Sequence, residues 1–512
     1  MLLRHQIEFF GGLNMQIRHH LACLMITCLL VLVPFTVLIP SPASADTPDW
    51  PDGTFHGTWS TADHNSSGMF QGFLNQHRRS TRGTFAGAWN SSDRTSSGTL
   101  QGSFFGFLLL GVWKTTGSET TSRFFGTLEF NDTHFSAHVR SLGHGSIDLV
   151  GMYRASFLPV LTGSFGVGVK SIYLQDTSRP ENFTEDPYDV REMMVQLWYP
   201  IDQTIEEHRV DYMDYPTFQW LKNRSPLPLI MIPNNAFEFV RPHGRNHSSP
   251  AAGCFPVVIF SPGYDGVYQI YTSLIEDLVS HGFVVASINH PYVSGITVFP
   301  DGRTVGLATA PTDPSERAAF LNMSLRTIVE DAKYTLTYLT GLNSTDPVFS
   351  GHLNLGRVGM YGHSFGGGNT AVCCFEDSRF TAGLTLDGFI NQGFVPGNVT
   401  VPFLMMVAEA RFVNDSNVEY MWSHITNDTY KVGIQGSTHY AYTDVGVLLK
   451  HLVPLIPPKV LGFGTIAPKR MVNATRAVIV AYFDVYLNEA PLQRVFDVFT
   501  CYPEIQFEWK EG

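Results

Sequence analysis

Two different patterns of hydrophobic and polar positions divide the 512-residue chain. Between residues 46 and 155, apolar residues alternate with polar ones in short runs, which glycine and clusters of Ser, Asn and Asp separate. Alternation with a period of two predicts small β-strands joined by tight turns. After Gly163, continuous apolar runs alternate with amphipathic stretches, and this pattern is typical of a parallel sheet covered by helices on both faces.

The first segment is built from repeats. The motif Gly53-Thr-Phe-His-Gly-Thr-Trp59 returns thirty residues later as Gly83-Thr-Phe-Ala-Gly-Ala-Trp89. A fixed period predicts stacked hairpins, each of which buries its aromatic face on the next. We therefore expect a small all-β repeat module over residues 46–155. It is interpreted either as a structural spacer or as a module that binds a glycan, membrane or polymer surface.

The second segment, residues 160–512, predicts a single α/β domain. Apolar strands are expected over residues 195–200, 256–263 (with a glycine turn at the end), 283–289, 357–361, 382–386, 402–407 and 430–435. Helices are expected over residues 268–281, 323–342 and 369–375. The sequence Pro300-Asp-Gly302 predicts the tip of a hairpin.

The amino-terminal 45 residues have the features of a targeting segment. Residues 21–39 are almost wholly apolar, follow a basic cluster at Arg18, and precede Ala43-Ser44-Ala45. This order predicts a secretory signal peptide over residues 1–45 that is cleaved after Ala45. An uncleaved membrane anchor is the alternative, because the apolar run is long for a signal.

Export also agrees with the distribution of asparagine. Asn-x-Ser/Thr triplets, which are acceptors for N-glycosylation in secreted proteins, begin at Asn65, Asn90, Asn131, Asn182, Asn223, Asn246, Asn322, Asn343, Asn398, Asn414, Asn427 and Asn473. We therefore expect a secreted glycoprotein.

Charge and cysteine usage narrow the function classes. The net charge is −12, and nucleic-acid binding relies on Lys and Arg side chains that neutralise phosphates, so a nucleic-acid partner is not expected. Beyond the apolar amino-terminal segment the chain has Cys254, Cys373, Cys374 and Cys501, whose spacing is not that of a zinc site. We expect no metal and no cofactor, and in an exported protein these cysteines are candidates for one or two disulfides.

The sequence Gly362-His-Ser364-Phe-Gly366 carries the main chemical signal. It has the form G-x-S-x-G, follows an apolar strand and precedes a helical stretch. In this context the glycines allow the sharp strand-to-helix turn that presents a serine hydroxyl as a nucleophile. Ser364 is therefore the predicted nucleophile.

A serine nucleophile needs a base and an acid that orients the base. His439 follows a strand and lies in a loop, whereas His424 and His451 lie in helical stretches, so His439 is the predicted base. By position alone the acid is either Asp387 or Asp415, since each follows a strand.

An oxyanion hole is expected from two backbone N–H groups. One belongs to Phe365, the residue after the nucleophile, and the other to the turn that ends the 256–263 strand. Pro262 has no N–H to donate, so Tyr264 is the predicted second donor.

As a set, these motifs resemble the plasma-type platelet-activating-factor acetylhydrolases and their microbial relatives. The resemblance rests on residues 260–263 (FSPG), 280–286 (SHGFVVA), 362–367 (GHSFGG) and 384–388 (LTLDG), and it extends to residues 197–200 (LWYP). It implies an α/β-hydrolase fold without a metal, with Ser364 as nucleophile, Asp387 as acid and His439 as base. The family's backbone donors correspond to Tyr264 and Phe365, and its members cleave short or oxidised sn-2 acyl chains from phospholipids.

The expected function is that of an exported serine ester hydrolase acting on short acyl esters, including those of phospholipids. Pro262 stands where many relatives have histidine, and the repeat module is foreign to the plasma enzymes. A polyester or cutin-type esterase with a surface-binding module is therefore the first alternative. The second is a catalytically inactive hydrolase-fold protein that serves as a cell-surface interaction protein.

Overall fold

A computed structural model describes most of the chain beyond residue 52. The described residues are 53–63, 66–76, 83–93, 95–105, 108–118, 121–131, 134–141, 145–155, 158–202, 209–224, 240, 242–246, 248–388, 393–452 and 458–512. The predicted signal peptide or anchor at residues 1–45 and the triplet at Asn65 lie outside the described residues.

The repeat segment folds into eight antiparallel strands that form a closed barrel. The strands are β1 Gly53–Thr61, β2 Ser67–Gln76, β3 Gly83–Ser91, β4 Ser97–Phe105, β5 Leu108–Thr115, β6 Thr121–Asn131, β7 His134–Ser141 and β8 Gly145–Ala155. Each strand pairs with the next one along the chain, and β8 closes the barrel by pairing with β1.

The aromatic residues of the repeats form one common core inside this barrel. Phe55, Phe70, Phe85 and Phe124 are all buried there. A Cβ placed on Gly57 would lie 2.2 Å from the carbonyl oxygen of Val150, so only glycine leaves room for the neighbouring strand and rings. The prediction of stacked hairpins is wrong in this respect, because the hairpins curl into a closed barrel and share a single interior.

The second segment contains a ten-stranded sheet in the order β11-β9-β10-β13-β12-β16-β17-β18-β19-β20. Its strands are β9 Gly166–Pro180, β10 Val190–Ile201, β11 Arg245–Asn246, β12 Phe255–Ser261, β13 Val284–Asn289, β16 Leu353–His363, β17 Phe380–Leu386, β18 Phe403–Ala408, β19 Thr429–Ile434 and β20 Ile505–Lys510. The central run from β13 to β19 is parallel, and β9, β10 and β20 add antiparallel edges. The seven predicted strands all occur in this sheet.

Helices pack against the sheet to enclose two hydrophobic clusters. The α-helices are α1 Tyr215–Arg224, α2 Thr272–Ser280, α3 Pro314–Thr345, α4 Phe365–Glu376, α5 Ser416–His424, α6 Val445–Leu452, α7 Pro468–Asn488 and α8 Gln493–Cys501. A hairpin of β14 Ile296–Val298 and β15 Thr304–Gly306 confirms the turn predicted at Pro300-Asp-Gly302. This mixed sheet with helices agrees with the expected α/β class.

One helix is longer than predicted because its amino-terminal signal lies further upstream. Helix α3 begins at Pro314, and the Asp313 side chain accepts hydrogen bonds from the N–H groups of Ser315 and Glu316. Proline in the first turn and aspartate just before it are both typical of a helix start. The predicted helix began only at residue 323, about two and a half turns later, because the prediction was made from the apolar pattern alone.

Two further predictions concern the cysteines and the Asn-x-Ser/Thr triplets. Cys254, Cys373, Cys374 and Cys501 all carry free thiols, so none of the expected disulfides is formed between them. The triplet at Asn343 is a poor glycan acceptor because the side-chain amide of Asn343 is already engaged. It donates a hydrogen bond to the carbonyl of Leu353 and accepts one from the N–H of the same residue. Asn182, Asn322 and Asn398 are exposed, and their glycosylation stays a prediction.

Within the described ranges, no helix combines the length and the apolar character needed to span a membrane.

Candidate active site

Ser364 lies at the sharp turn between strand β16 and helix α4. Its backbone has φ 55° and ψ −114°, a conformation that is strained for a residue with a side chain. A Cβ on Gly362 would lie 2.2 Å from the carbonyl oxygen of Gly366, and one on Gly366 would lie 2.1 Å from that of Ser261. The two glycines of the motif therefore allow the close packing that holds Ser364 in this turn.

Three side chains from separate strand ends meet at this turn. His439 begins a 3₁₀ turn after β19, and its Nε2 lies 2.9 Å from Ser364 Oγ. Asp387 follows β17 directly, and its Oδ2 lies 2.6 Å from His439 Nδ1. Because an ionised carboxylate only accepts, Nδ1–H donates to Asp387, which leaves Nε2 free to accept the serine hydroxyl proton.

Asp387 is held ionised in this site. Burial alone would raise the pKa of its carboxyl, but the hydrogen bond from His439 and the charge of Arg411 lower it to about 2. The Ala408 N–H donates to Oδ1 at 2.9 Å, and Arg411 Nη1 donates to the same oxygen at 2.9 Å. Asp387 is thus a buried carboxylate whose charge is fully compensated.

Asp415, the alternative acid, has a different position. Its side chain accepts from the N–H groups of Asn417 and Val418 at the start of helix α5. Arg411 Nε donates to Asp415 Oδ2 at 2.8 Å and connects this carboxylate to Asp387. The structure therefore brings Asp387 to the imidazole of His439 and brings Asp415 to Arg411.

Tyr264 and Phe365, the two predicted oxyanion donors, are neighbours. Their rings pack edge to face with centroids 5.6 Å apart. Gly263, the residue before Tyr264, lies against the serine, since a Cβ at Gly263 would come within 3.2 Å of Ser364 Cβ. The turn after β12 thus lies beside the serine, where the predicted oxyanion hole requires it.

A buried chain of polar side chains anchors the base of this turn. Ser261, the last residue of β12, lies 3.0 Å from His290 Nε2, and His290 Nδ1 lies 2.9 Å from Asp331 Oδ2. Arg191 binds Asp331 through Nε and Nη2, at 3.0 and 2.7 Å. Burial lowers the pKa of His290, so its neutral ring donates to Asp331 and accepts from the Ser261 hydroxyl.

His290 also joins two loops through its backbone. Its carbonyl accepts from the N–H groups of Val293 and Ser294, while the Asp265 N–H donates to the carbonyl of Val293 at 2.9 Å. The loop that contains Tyr264 is therefore fixed at its start by the Ser261–His290 contact and further along by Val293.

His363 lies directly behind the predicted base. Its ring is 4.5 Å from that of His439, and its Nε2–H donates to the His439 carbonyl at 2.8 Å. Nδ1 therefore accepts from the hydroxyl of Tyr271, at 2.8 Å. Burial, together with the charge of His439, lowers the pKa of His363 to about 3, so the ring stays neutral.

A cavity of about 480 Å³ lies near these loops. Phe183, Tyr292, Phe320 and Met323 contribute to its lining. Tyr292 precedes Val293, the residue that binds the loop of Tyr264. The cavity is therefore connected through the chain, by Tyr292 and Val293, to the loop that contains Tyr264.

Sequence reasoning missed several residues of this site. Arg411, His290, Asp331 and Arg191 carry no recognisable motif, and only the fold brings them together. No group of three or more His, Cys, Asp or Glu side chains within the described ranges is arranged to hold a metal ion.

Comparison with known proteins places the chain in a family. The model of the family described as platelet-activating factor acetylhydrolase, isoform II, matches residues 150–301 and 342–503, which is more than half of the chain. A curated protein from Arthroderma benhamiae, named a probable 1-alkyl-2-acetylglycerophosphocholine esterase, is 25% identical over 57% of this chain and 77% of its own length.

Two further proteins are also similar to this chain. Cutinase 1 of Thermobifida cellulosilytica is 25% identical over 43% of this chain and 71% of its own length. The solved structure of a ferulic acid esterase from Streptomyces cinnamoneus superposes with a TM-score of 0.58 and 26% identity, covering 68% of this chain and 98% of the esterase. The expected resemblance is thereby confirmed, and the chain belongs to the platelet-activating factor acetylhydrolase isoform II family of carboxylic ester hydrolases.

Proposed function

We propose that the protein is an α/β-hydrolase-fold serine esterase that cleaves short acyl esters, including the sn-2 acyl group of phospholipids. The observation that carries this proposal is the contact of Ser364, His439 and Asp387 at 2.9 and 2.6 Å. Membership in an acetylhydrolase family supports the choice of ester chemistry and of a short acyl group.

In the proposed reaction, Ser364 Oγ attacks the ester carbonyl while His439 Nε2 takes the hydroxyl proton. Asp387 keeps Nδ1 protonated and stabilises the imidazolium. The N–H groups of Phe365 and Tyr264 stabilise the negative oxygen of the tetrahedral intermediate. When this intermediate collapses, the alcohol leaves with the proton from His439, and Ser364 is acylated.

The second half of the reaction repeats the first with water as nucleophile. His439 takes a proton from water, the hydroxide attacks the acyl-enzyme, and the carboxylic acid is released as Ser364 recovers its proton. No atom changes its oxidation state in this cycle, so the chemistry requires no redox cofactor, and His439 supplies the proton transfer in both halves.

A cutin-type or polyester esterase is the second candidate. The match to Cutinase 1 of Thermobifida cellulosilytica favours it, because it covers 43% of this chain. The third reading, an inactive interaction protein, is disfavoured by the ionised Asp387 and its contact with His439, which an inactive site has no need to keep.

A panel of substrates separates the two active candidates. Rates would be measured on p-nitrophenyl acetate and longer p-nitrophenyl esters, on a phospholipid with an sn-2 acetyl group, and on a polyester film. We expect the highest kcat/KM on acetyl esters, with cleavage of the phospholipid. Cleavage of the film together with inactivity on the phospholipid would replace the first candidate by the second.

Export is part of the same proposal. The signal-like segment at residues 1–45 and the exposed asparagines of the Asn-x-Ser/Thr triplets support a secreted glycoprotein. We expect the mature protein to begin at Asp46. Amino-terminal sequencing of protein from the medium would test this, and an intact residue 1–45 segment in the membrane fraction would favour the anchor instead.

A further inference from the structure

Exposed apolar side chains are grouped on the outside of the barrel across β5 and β6. Leu110 and Phe125 face each other directly in the strand register, and Leu108 lies on the same face of β5. Leu108, Leu110 and Phe125 are 45%, 38% and 52% exposed. The barrel interior is already filled by the buried aromatic residues, so these side chains are not part of its core.

Three cationic side chains lie on the same outer face of the barrel as this apolar group. Arg140 on β7 is directly opposite Phe125, and Arg123 lies two residues before Phe125 on the same face of β6. Lys114 lies further along the outer face of β5. All three are exposed, and none of them forms an ion pair with an acidic side chain in the described part of the chain. Together with Leu108, Leu110 and Phe125 they form what we term the basic-apolar face.

This cluster of cations is unexpected in a protein whose net charge is negative. The chain has a net charge of −12, yet Asp148, which lies two residues along the register from Arg140, contacts His138 rather than any of the three cations. A second exposed apolar pair lies elsewhere on the barrel, where Met69 and Val150 flank Thr58 on β1. Met69 and Val150 are 62% and 53% exposed and have no cation opposite them in the register, so they provide an internal comparison.

We propose that the basic-apolar face docks the enzyme onto an anionic lipid surface. Lys114, Arg123 and Arg140 would bind the phosphate groups, while Phe125 and the two leucines enter the boundary between headgroups and acyl chains. The proposal rests on the proposed function in one respect, namely that esters of lipids are among the substrates. Docking would then hold the enzyme where such esters are concentrated.

Lipid is favoured over a soluble polyanion because of the apolar centre. A hydrated polysaccharide can neutralise the three cations but gives Leu110 and Phe125 no apolar medium to enter. A lipid surface satisfies both kinds of side chain at once, since aromatic and aliphatic groups are stable at the interface and cations at the headgroups.

Binding of the full chain to vesicles tests the proposal. Co-sedimentation would be measured with vesicles of phosphatidylglycerol and, separately, of phosphatidylcholine, using Ser364→Ala protein so that binding does not depend on turnover. We expect clear preference for phosphatidylglycerol. Each of Lys114→Gln, Arg123→Gln and Arg140→Gln should weaken binding about fivefold, and Phe125→Ser should weaken it as well.

Met69→Ser and Val150→Ser are the matched controls and should bind as well as the parent protein. Equal binding to both lipids, or equal losses in the controls and in Phe125→Ser, would overturn the proposal. So would binding of dextran sulfate that requires Phe125 as well as the three cations. Hydrolysis of p-nitrophenyl acetate by the face variants, made with Ser364 intact, should be unchanged. Loss of esterase function would therefore be seen separately from loss of docking.

Discussion

At the scale of single residues, backbone strain is concentrated near the candidate site. Six described residues other than glycine have positive φ, and four of them are Ser364, Asp387, Asp265 and Tyr292. Two of these carry the proposed chemistry, and the other two lie in the loops that the Val293 contact joins. Strain of this kind persists only where the surroundings fix the backbone, and it clusters at functional sites.

Substitution of the two candidate acids distinguishes their roles. Asp387→Asn should lower kcat on p-nitrophenyl acetate by about 10⁴-fold, because the amide no longer holds His439 in the required tautomer. Asp415→Asn should cause a far smaller loss, since Asp415 contacts Arg411 rather than His439. A large loss only in the second variant would exchange the two assignments.

Loss of the buried Ser261–His290 contact should lower kcat by more than the accompanying loss of fold stability can account for. Ser261→Ala leaves His290 Nε2 unpaired and loosens the loop of Tyr264, so we expect kcat to fall about tenfold or more with little change in KM. Ser287→Ala is the control, because Ser287 is equally buried on the adjacent strand but binds Trp198.

Both serine variants should lose similar stability, about 1–3 kcal/mol. Kinetics on p-nitrophenyl acetate, with melting temperatures measured in parallel, provide the comparison. A parallel fall of kcat in Ser287→Ala would mean that the Ser261 effect is general weakening of the fold.

The sequence was informative about the residues that have local signals. Gly362 and Gly366 mark the turn of Ser364, and the position of His439 after a strand marks it as the base. The sequence alone, without the family resemblance, could not distinguish Asp387 from Asp415 as the acid, because both follow strands. Only the conformations of the loops decide which carboxylate contacts the imidazole.

At the scale of elements, the barrel shows what a repeat does and does not specify. The repeat predicts strands and their aromatic faces, and the buried rings of Phe55 and Phe85 agree with it. Closure depends on the pairing of β1 with β8, which are nearly a hundred residues apart and share no repeat motif. Glycines such as Gly57 then permit the close approach of strands and rings that closure requires.

A methyl group at Gly57 should therefore destabilise the barrel locally. In Gly57→Ala the new Cβ would overlap the carbonyl of Val150, and overpacking of this kind costs about 1–3 kcal/mol. Peptides from residues 53–76 should exchange amide hydrogens faster, while hydrolysis of p-nitrophenyl acetate stays unchanged. Thr58→Ala alters an exposed neighbour and should leave exchange as it is; equal protection in both variants would contradict the packing described.

At the scale of the whole molecule, the catalytic part holds buried acids that the proposed chemistry does not use. Burial raises the pKa of Glu276 to about 8 and that of Asp444 to about 7. Glu276 Oε1 accepts from the Gly244 N–H at 2.7 Å, but its other oxygen has no hydrogen-bond partner within the described residues. Both carboxyls are therefore more stable protonated in the folded protein.

The raised pKa values of these two carboxyls make the stability of the fold depend on pH. The folded protein keeps these protons to higher pH than the unfolded chain, so the free energy of unfolding should fall by roughly 1 kcal/mol per pH unit for each group. The fall extends from pH 4.5 to about 8 for Glu276 and from pH 3.8 to about 7 for Asp444. Glu276→Gln should reduce that slope, with the melting temperature gaining most near pH 8. Glu185→Gln, at an exposed position, is the control. A slope that is the same in wild type and Glu276→Gln would contradict the burial argument.

The central claim, a serine esterase whose nucleophile is Ser364, is tested most directly by covalent labelling. The full chain would be treated with diethyl p-nitrophenyl phosphate, digested with trypsin and analysed by tandem mass spectrometry. We predict a diethylphosphoryl group on Ser364, in the peptide of residues 358–379, with loss of p-nitrophenyl acetate hydrolysis in proportion to labelling. Labelling and hydrolysis that both persist in Ser364→Ala would contradict the claim.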